Sequence, residues 1–459
     1  MRQTTCGRLV TAIVACAYLN VAFAAGAAEP EGANSAATSP IELPKPTGRY
    51  SVGRASYALI DRSRKEIFTA DDDDVREFVV IVHYPAQVAA DAVSSPYAEE
   101  RLATAIAEAY HKPASYAQRL RCHAVENAAP LLSTAGFPVV IFSPGFQTHP
   151  LFYTATLEDL ASQGFVVVSI CHTYSTGVTV FPDGRTVRAN DAGTQFERDK
   201  RDPAISPRTI QDHRDAIGEV WIADVRFVAD WLATLNSNDG RLQGSLRLDR
   251  LGAFGHSFGG AAAAATVARD ERFRAGMNLD GSDFSSTDGE KIREKFLWLC
   301  SEPPDLSKLP PGNVHVRREG DKSPEESGKT IDKGAEDKKR GAGAPKTVIR
   351  RGDDGSAPPD LTKRRLSTYN GLRAPTDRLI TIHGARHQTF ASDVVLLAAS
   401  SPLSKATASQ DVGTIEGTRA VKIVNALVSG FFRQQLLGEN VPVIDDPAVY
   451  PEVHRGPAR

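Results

Sequence analysis

The chain reads as an α/β protein with a mostly parallel central sheet and helices on both faces, and three observations predict this. First, its strand-like runs are apolar throughout instead of alternating, as in "FPVVIFSPGF" (137–146) and "FVVVSICHT" (165–173). Strands buried on both faces have this composition. Second, helical patterns separate them, as "TATLEDLASQGF" (154–165) separates those two, which is the alternation of a parallel sheet. Third, 459 residues with 41% hydrophobic and 24% charged side chains suffice to cover both faces of a large sheet.

Taken in order, the elements begin after an unusual N-terminus. Arg2 and Arg8 flank a polar start, Leu9 to Ala25 is almost wholly apolar, and Ala22-Phe23-Ala24 offers a small-x-small cleavage site. Residues 1–24 are read as a secretory signal peptide, so the protein is expected to be exported, periplasmic or secreted. Ile13-Val14-Ala15-Cys16 is similar to a lipoprotein box, but the residues after Cys16 stay apolar where a lipoprotein turns polar. Residues 25–46, rich in Ala, Ser and Pro, are expected to form a linker.

The main domain is placed at 47–440. "SYALID" (56–61) and "FVVIVHYPA" (78–86) read as strands joined by an acidic turn at Asp71–Asp74, and 98–133 reads as helical. A long helix is expected at 215–236, with Trp221, Val225, Val228, Trp231 and Leu232 on one face. "RLGAFGHS", "AGMNLDG", "KFLWLCSE" and "RLITIHGARH" supply further strands. Residues 303–359 contain no aromatic side chain and are crowded with charge, Gly and Pro, so a disordered insertion is expected there. Residues 441–459 are set apart as a tail. Without the signal peptide, Cys122, Cys171 and Cys300 remain, enough for one bridge, and their spacing selects no pair. A net charge of −2 argues against a nucleic-acid partner. No stretch of the body approaches the roughly 18 apolar residues of a membrane span.

One corner carries the chemistry. Gly255-His256-Ser257-Phe258-Gly259 fits G-x-S-x-G between a strand ("RLGAF") and an alanine-rich helix ("GGAAAAATVARD"). That context defines a nucleophile elbow, in which the serine takes a positive φ and its neighbours must be small. The elbow lifts the serine oxygen to a helix N-terminus, where the dipole favours a developing oxyanion. Ser257 is therefore the expected nucleophile, and an α/β-hydrolase fold the expected architecture.

A serine needs a base, and the base an acid to orient it. In this fold they follow the serine in the order acid, then histidine. His315, His383, His387 and His454 are the histidines beyond the elbow. His315 lies in the insertion, His454 in the tail, and His383 within a strand-like run. His387, in the loop after that strand, is the expected base. Asp280, ending "AGMNLD", is the expected acid, preferred over Asp283, whose Ser-rich surroundings suggest partial exposure. The oxyanion donors are expected to be the backbone N–H groups of Phe258 and of Phe146. His383 and His387 form H-x-x-x-H, but the strand-like flank does not suit a metal pair on a helix. No metal or cofactor is expected.

The pieces "LPKPTGRYSVG", "VHYPA", "FSPGF", "LASQGFVVVSICHT", "GHSFGG", "LDG" and "HGARHQTF", spread over 43 to 436, resemble the platelet-activating-factor acetylhydrolase family, the plasma and type II group. The resemblance implies Ser257 as nucleophile, Asp280 as acid, His387 as base with Phe390 beside it, and Phe146 as an oxyanion residue. It also implies a serine esterase acting on short-acyl esters, including the sn-2 acetyl of phospholipids, and leaves room for peripheral membrane contact. Two departures stand out. The charged insertion separates acid from base, and the turn Ser143-Pro144-Gly145-Phe146-Gln147 carries Pro-Gly where the animal enzymes have His-Gly. The Pro-Gly form is similar to polyester and dienelactone hydrolases, so a polyester or xenobiotic ester is the alternative substrate. A catalytically silent binding protein on the same fold is the alternative from another class.

Overall fold

A computed structural model describes residues 41–301, 378–399 and 412–455, apart from 90, 114, 239, 285, 287–291, 293–294 and 447–448. The expected signal peptide and the 303–359 insertion lie outside the described residues.

Among the described residues, the main path of the sheet has ten strands, the short Val125–Glu126 beside β1 at one edge and nine others: β1 (Ser51–Lys65), β2 (Val75–Gln87), β3 (Phe137–Ser143), β4 (Val166–Cys171), β5 (Leu246–His256), β6 (Phe273–Leu279), β7 (Lys295–Ser301), β8 (Arg378–Ile382) and β9 (Val453–Arg455). They lie in the order β9-β8-β7-β6-β5-β3-β4-β2-β1. From β8 to β4 every pairing is parallel. The pairings β2 with β4, β1 with β2 and β8 with β9 are antiparallel.

The unbroken apolar runs are explained by what covers them. Along β3, Val140 and Phe142 pack in one core, while Val139 and Ile141 pack in the other. Successive side chains of a strand point to opposite faces, so a strand covered twice has no polar side to offer. The first core is closed by α2 (Thr154–Ser162) and α5 (Gly417–Phe432), through Leu157, Leu160, Leu427 and Phe431. The second is closed by α3 (Pro207–Asn238), through Val225, Val228 and Leu232, and by α4 (Phe258–Arg269), through Ala263, Ala264 and Val267. Each such aliphatic side chain contributes about 1.5–3 kcal/mol when fully buried.

Three stretches differ from the sequence reading. In 98–133 only α1 (Glu100–Ala109) is α-helical, and a 3-10 turn with short paired segments follows. Pro113 and Pro130 bound that region, and its backbone groups pair with distant chain, as Leu120 does with Ile41. The end of the 25–46 segment is likewise docked: Ile41–Glu42 pairs with Leu120–Arg121, and Leu43 is buried. Residues 441–455, set apart as a tail, supply the edge strand β9. Cys122, Cys171 and Cys300 are all buried, and no disulfide joins any two of them.

A buried ionic cluster lies against α3. Arg76, 1% exposed, donates to Glu66 at 2.8 Å and to both Asp224 oxygens at 2.7 and 3.1 Å. His172 donates from Nδ1 to Asp224 at 2.9 Å and accepts from the Ser143 hydroxyl at 3.1 Å. Removing one partner of such a cluster leaves an uncompensated buried charge, at about 3–5 kcal/mol.

Acid stability follows from the histidines. Burial holds His83, His149 and His256 down at about 3 and His172 at about 4, against 6.5 in an exposed chain. The unfolded chain therefore takes up these protons first, and their contribution, intact above pH 6.5, is lost as pH falls toward 3–4. Asp393, raised by burial to about 6, and Glu158, also raised by burial, act in the opposite sense against the four histidines. Thermal melts should thus drop from pH 7 to pH 4.5, with a net uptake of protons on unfolding near pH 5. A Tm independent of pH over that range would contradict the assignment of neutral buried imidazoles.

Candidate active site

Strand β5 ends at His256 and α4 begins at Phe258, leaving Ser257 alone at the corner with φ 56° and ψ −117°. A non-glycine residue in this region is strained by about 1–3 kcal/mol and persists only where its surroundings enforce it. The enforcement is visible. Ser257 N–H donates to the Leu279 carbonyl at 2.8 Å, and Ser257 C=O accepts from Ala261 at 3.1 Å as the first helical bond. Behind it, a Cβ on Gly259 would stand 2.2 Å from the Ser143 carbonyl oxygen and 2.4 Å from that of Pro144. Only glycine lets α4 start so close to the end of β3.

Strand β6 carries Asp280 one residue past its end, also at φ 56°. Its Oδ1 accepts from Ser301 N–H at 2.9 Å and its Oδ2 from the Ser301 hydroxyl at 2.8 Å. Both bonds come from the end of the neighbouring β7 and fix the carboxylate plane. His387 opens a 3-10 turn, His387–Phe390, after β8. Its Nδ1–H donates to Asp280 Oδ2 at 2.8 Å, and its Nε2 accepts from the Ser257 hydroxyl at 2.8 Å. The carboxylate only accepts, so Nδ1 must carry the proton and Nε2 is free to receive one. The structure thus brings together Ser257, His387 and Asp280, drawn from three strand ends.

Asp283 is buried at 3% exposure, against the partial exposure its serines suggested, and its backbone carbonyl accepts from Arg214 at 3.2 Å. The ring of His383 faces His454 at 4.1 Å.

Phe258 begins α4, where the first N–H groups of a helix have no intrahelical acceptor. Phe146 sits in the turn after β3. In that turn Gly145 C=O accepts from Thr148 N–H at 2.9 Å, and Gln147 N–H donates to Ser175 C=O at 3.0 Å. The rings of Phe146 and Phe258, 5.0 Å apart, are enclosed by Phe196 and Trp221 and are 0% and 3% exposed. They form a packed floor behind the turn instead of projecting freely into a cleft.

Some neighbours of the site carried no sequence signal. His172 and Ser301 act through contacts with chain more than 20 residues away, as in the 3.8 Å stack of His172 on Trp221, and Tyr153 reaches His256, 103 residues on. His256 had a signal in its position beside the nucleophile, but chain order eliminates it as a base and says nothing else.

A parallel sheet with helices on both faces, a serine at an elbow, and a histidine and an aspartate at later strand ends define the α/β-hydrolase fold. Among solved structures, a ferulic acid esterase from Streptomyces cinnamoneus aligns with a TM-score of 0.66 at 24% identity, covering 90% of this chain and 98% of its own. The model of the family "Platelet-activating factor acetylhydrolase, isoform II" matches residues 35–303, and the chain belongs to that esterase family. It is 26% identical over 426 residues to a probable 1-alkyl-2-acetylglycerophosphocholine esterase of Arthroderma benhamiae, covering 90% of this chain and 92% of that one. It is also 31% identical over 179 residues to the platelet-activating factor acetylhydrolase of Bos taurus, over 36% of this chain and 40% of the bovine one.

The crossing at Gly259 gives a direct test of how the site is held. Gly259→Ala should force α4 away from β3, lowering kcat/KM on a short ester by about tenfold or more. Tm should fall by several degrees in the same variant. Unchanged activity and Tm would mean that the two backbones separate at no cost.

Proposed function

We propose that this protein is an exported serine esterase of the platelet-activating-factor acetylhydrolase type, cleaving short-acyl esters through an acyl-enzyme. The observation that carries the reading is the unbroken chain of two 2.8 Å hydrogen bonds from Ser257 through His387 to Asp280. As Ser257 Oγ attacks the ester carbonyl, its proton passes to His387 Nε2, and Asp280 stabilises the imidazolium and fixes its orientation. The N–H groups of Phe258 and Phe146 hold the tetrahedral oxyanion. Collapse breaks the bond to the alkoxy oxygen, which leaves with the proton from His387. Water, activated by the same nitrogen, then releases the acid and restores Ser257. Residues 1–24 support export, and N-terminal sequencing of the mature chain tests a cut after Ala24.

The long relative from Arthroderma benhamiae and the bovine acetylhydrolase support an sn-2 acetyl phospholipid among the substrates.

Ser257→Ala or His387→Ala should lower kcat by roughly four to six orders of magnitude with the fold retained. A fluorophosphonate probe should label the wild type and not Ser257→Ala. Asp280→Asn should cost somewhat less, and greater damage from Asp283→Asn would overturn the choice of acid.

Chain length separates the substrate classes. A chain too long for the site gains nothing from the CH₂ groups it leaves in water, about 0.8 kcal/mol each, and disturbs the approach of Ser257 to the carbonyl, so acetyl and butyryl esters should exceed a monomeric palmitoyl ester at least about tenfold in kcat/KM. Equal turnover of the palmitoyl ester would sink the short-acyl reading, and preferential release from an aromatic polyester would favour the polyester alternative.

A further inference from the structure

The mechanism leaves His256 without a task, although it adjoins the nucleophile and is 2% exposed. Its Nε2 lies 2.9 Å from the carbonyl oxygen of His387, and its Nδ1 lies 2.7 Å from the hydroxyl of Tyr153. A carbonyl only accepts, so Nε2 carries the proton. Burial and the neighbouring His387 hold the ring neutral, with its pKa down at about 3, which leaves Nδ1 an acceptor for the Tyr153 O–H. The same Tyr153 oxygen accepts from Gly145 N–H at 3.0 Å. Every donor in this line has one acceptor, and the line has one polarity: Gly145 N–H to Tyr153, Tyr153 O–H to His256, His256 N–H to His387 C=O.

From these contacts we infer that Tyr153 and His256 are positioning residues that lock the oxyanion turn and the base into one register. At one end, Gly145 N–H is tied to Tyr153 while Gly145 C=O accepts from Thr148. Both sides of Gly145 are held. The Gly145–Phe146 peptide is planar and trans, so its N–H points opposite to a carbonyl already fixed by Thr148. That direction is the one an oxyanion donor at Phe146 must keep. At the other end, the bond to His387 C=O fixes the backbone from which the imidazole reaches Ser257. The ring of His256 also lies against that imidazole, with centroids 4.6 Å apart. The role rests on the proposed acyl-enzyme chemistry, in which a donor and a base must act on one carbonyl at the same moment.

The test uses the mature enzyme, with kcat expressed per site titrated by fluorophosphonate. Tyr153→Phe keeps the ring and its 4.8 Å contact with Phe142 and removes only the hydroxyl. It should lower kcat by about tenfold or more with KM within about twofold, because the loss falls on the transition state. His256→Leu should do the same or more. His256→Gln, which retains a donor toward His387 C=O, should recover part of the loss. The double variant Tyr153→Phe/His256→Leu should be no worse than His256→Leu by more than about twofold, since a severed line cannot be severed again. Where His256→Leu fails to fold, His256→Phe, which keeps a ring but neither nitrogen, serves in the same cycle.

Additive losses, or variants with lower Tm but wild-type kcat per titrated site, would overturn the positioning role. A wild-type protein that neither labels nor turns over would instead overturn the esterase reading, so the two failures are distinct.

Discussion

The site depends on two places where backbone passes closer to backbone than a side chain would allow. At one, Gly259 brings the first turn of α4 against the carbonyl oxygens of Ser143 and Pro144. At the other, a Cβ on Gly281 would stand 2.1 Å from the Ser257 carbonyl oxygen, so the turn carrying Asp280 presses on the nucleophile corner. The turn after β3, Ser257 and Asp280 thereby share one block of close-packed backbone. Only the histidine arrives from elsewhere, on β8. This division explains why so many polar contacts gather around His387: Asp280, Ser257 and His256 each hold a different atom of it.

Behind the block, the protein separates charged from neutral buried groups. Arg76, Glu66 and Asp224 form a compact ionic cluster whose carboxylates the arginine satisfies directly. The line from there to the site runs through neutral groups. Asp224 fixes the proton of His172 on Nδ1, so that Nε2 accepts from Ser143 at the root of the oxyanion turn. His172 stacks on Trp221, whose far side packs against Phe258 at 4.8 Å. A second serine–histidine–aspartate chain thus exists in the molecule, wholly enclosed. It braces the strand end that precedes the turn, and its serine is out of reach of any substrate.

Much of this was legible in the sequence, because the relevant signals are local. Unbroken apolar runs gave the parallel strands, and the glycines flanking Ser257 announced the elbow. Asp280 and His387 were found by chain order, because a strand end places a side chain where the next element must turn. What sequence missed was non-local. Residues 98–133 have helical composition beyond α1, but their hydrogen bonds go to Ile41 and to β1 and β2 instead of to their own turns. Tyr153 looked like an ordinary aromatic before a helix, and only folding brings its hydroxyl between Gly145 and His256. Residues 441–459 were set apart as a tail, yet three of them, Val453–Arg455, pair with β8 at the edge of the sheet.

That closing strand bears on how the molecule comes into being. Strand β9 is the outer partner of β8, and the Glu452 carbonyl accepts from His383 N–H at 2.7 Å, four residues before the base. Until residue 455 has been synthesised, β8 presents an open edge, and open edges invite pairing with other chains. Ser257 and Asp280 emerge from the ribosome well before their partner histidine has a settled strand to stand on. The hydrogen-bonded set of Ser257, His387 and Asp280 is therefore among the last parts of the molecule to be completed.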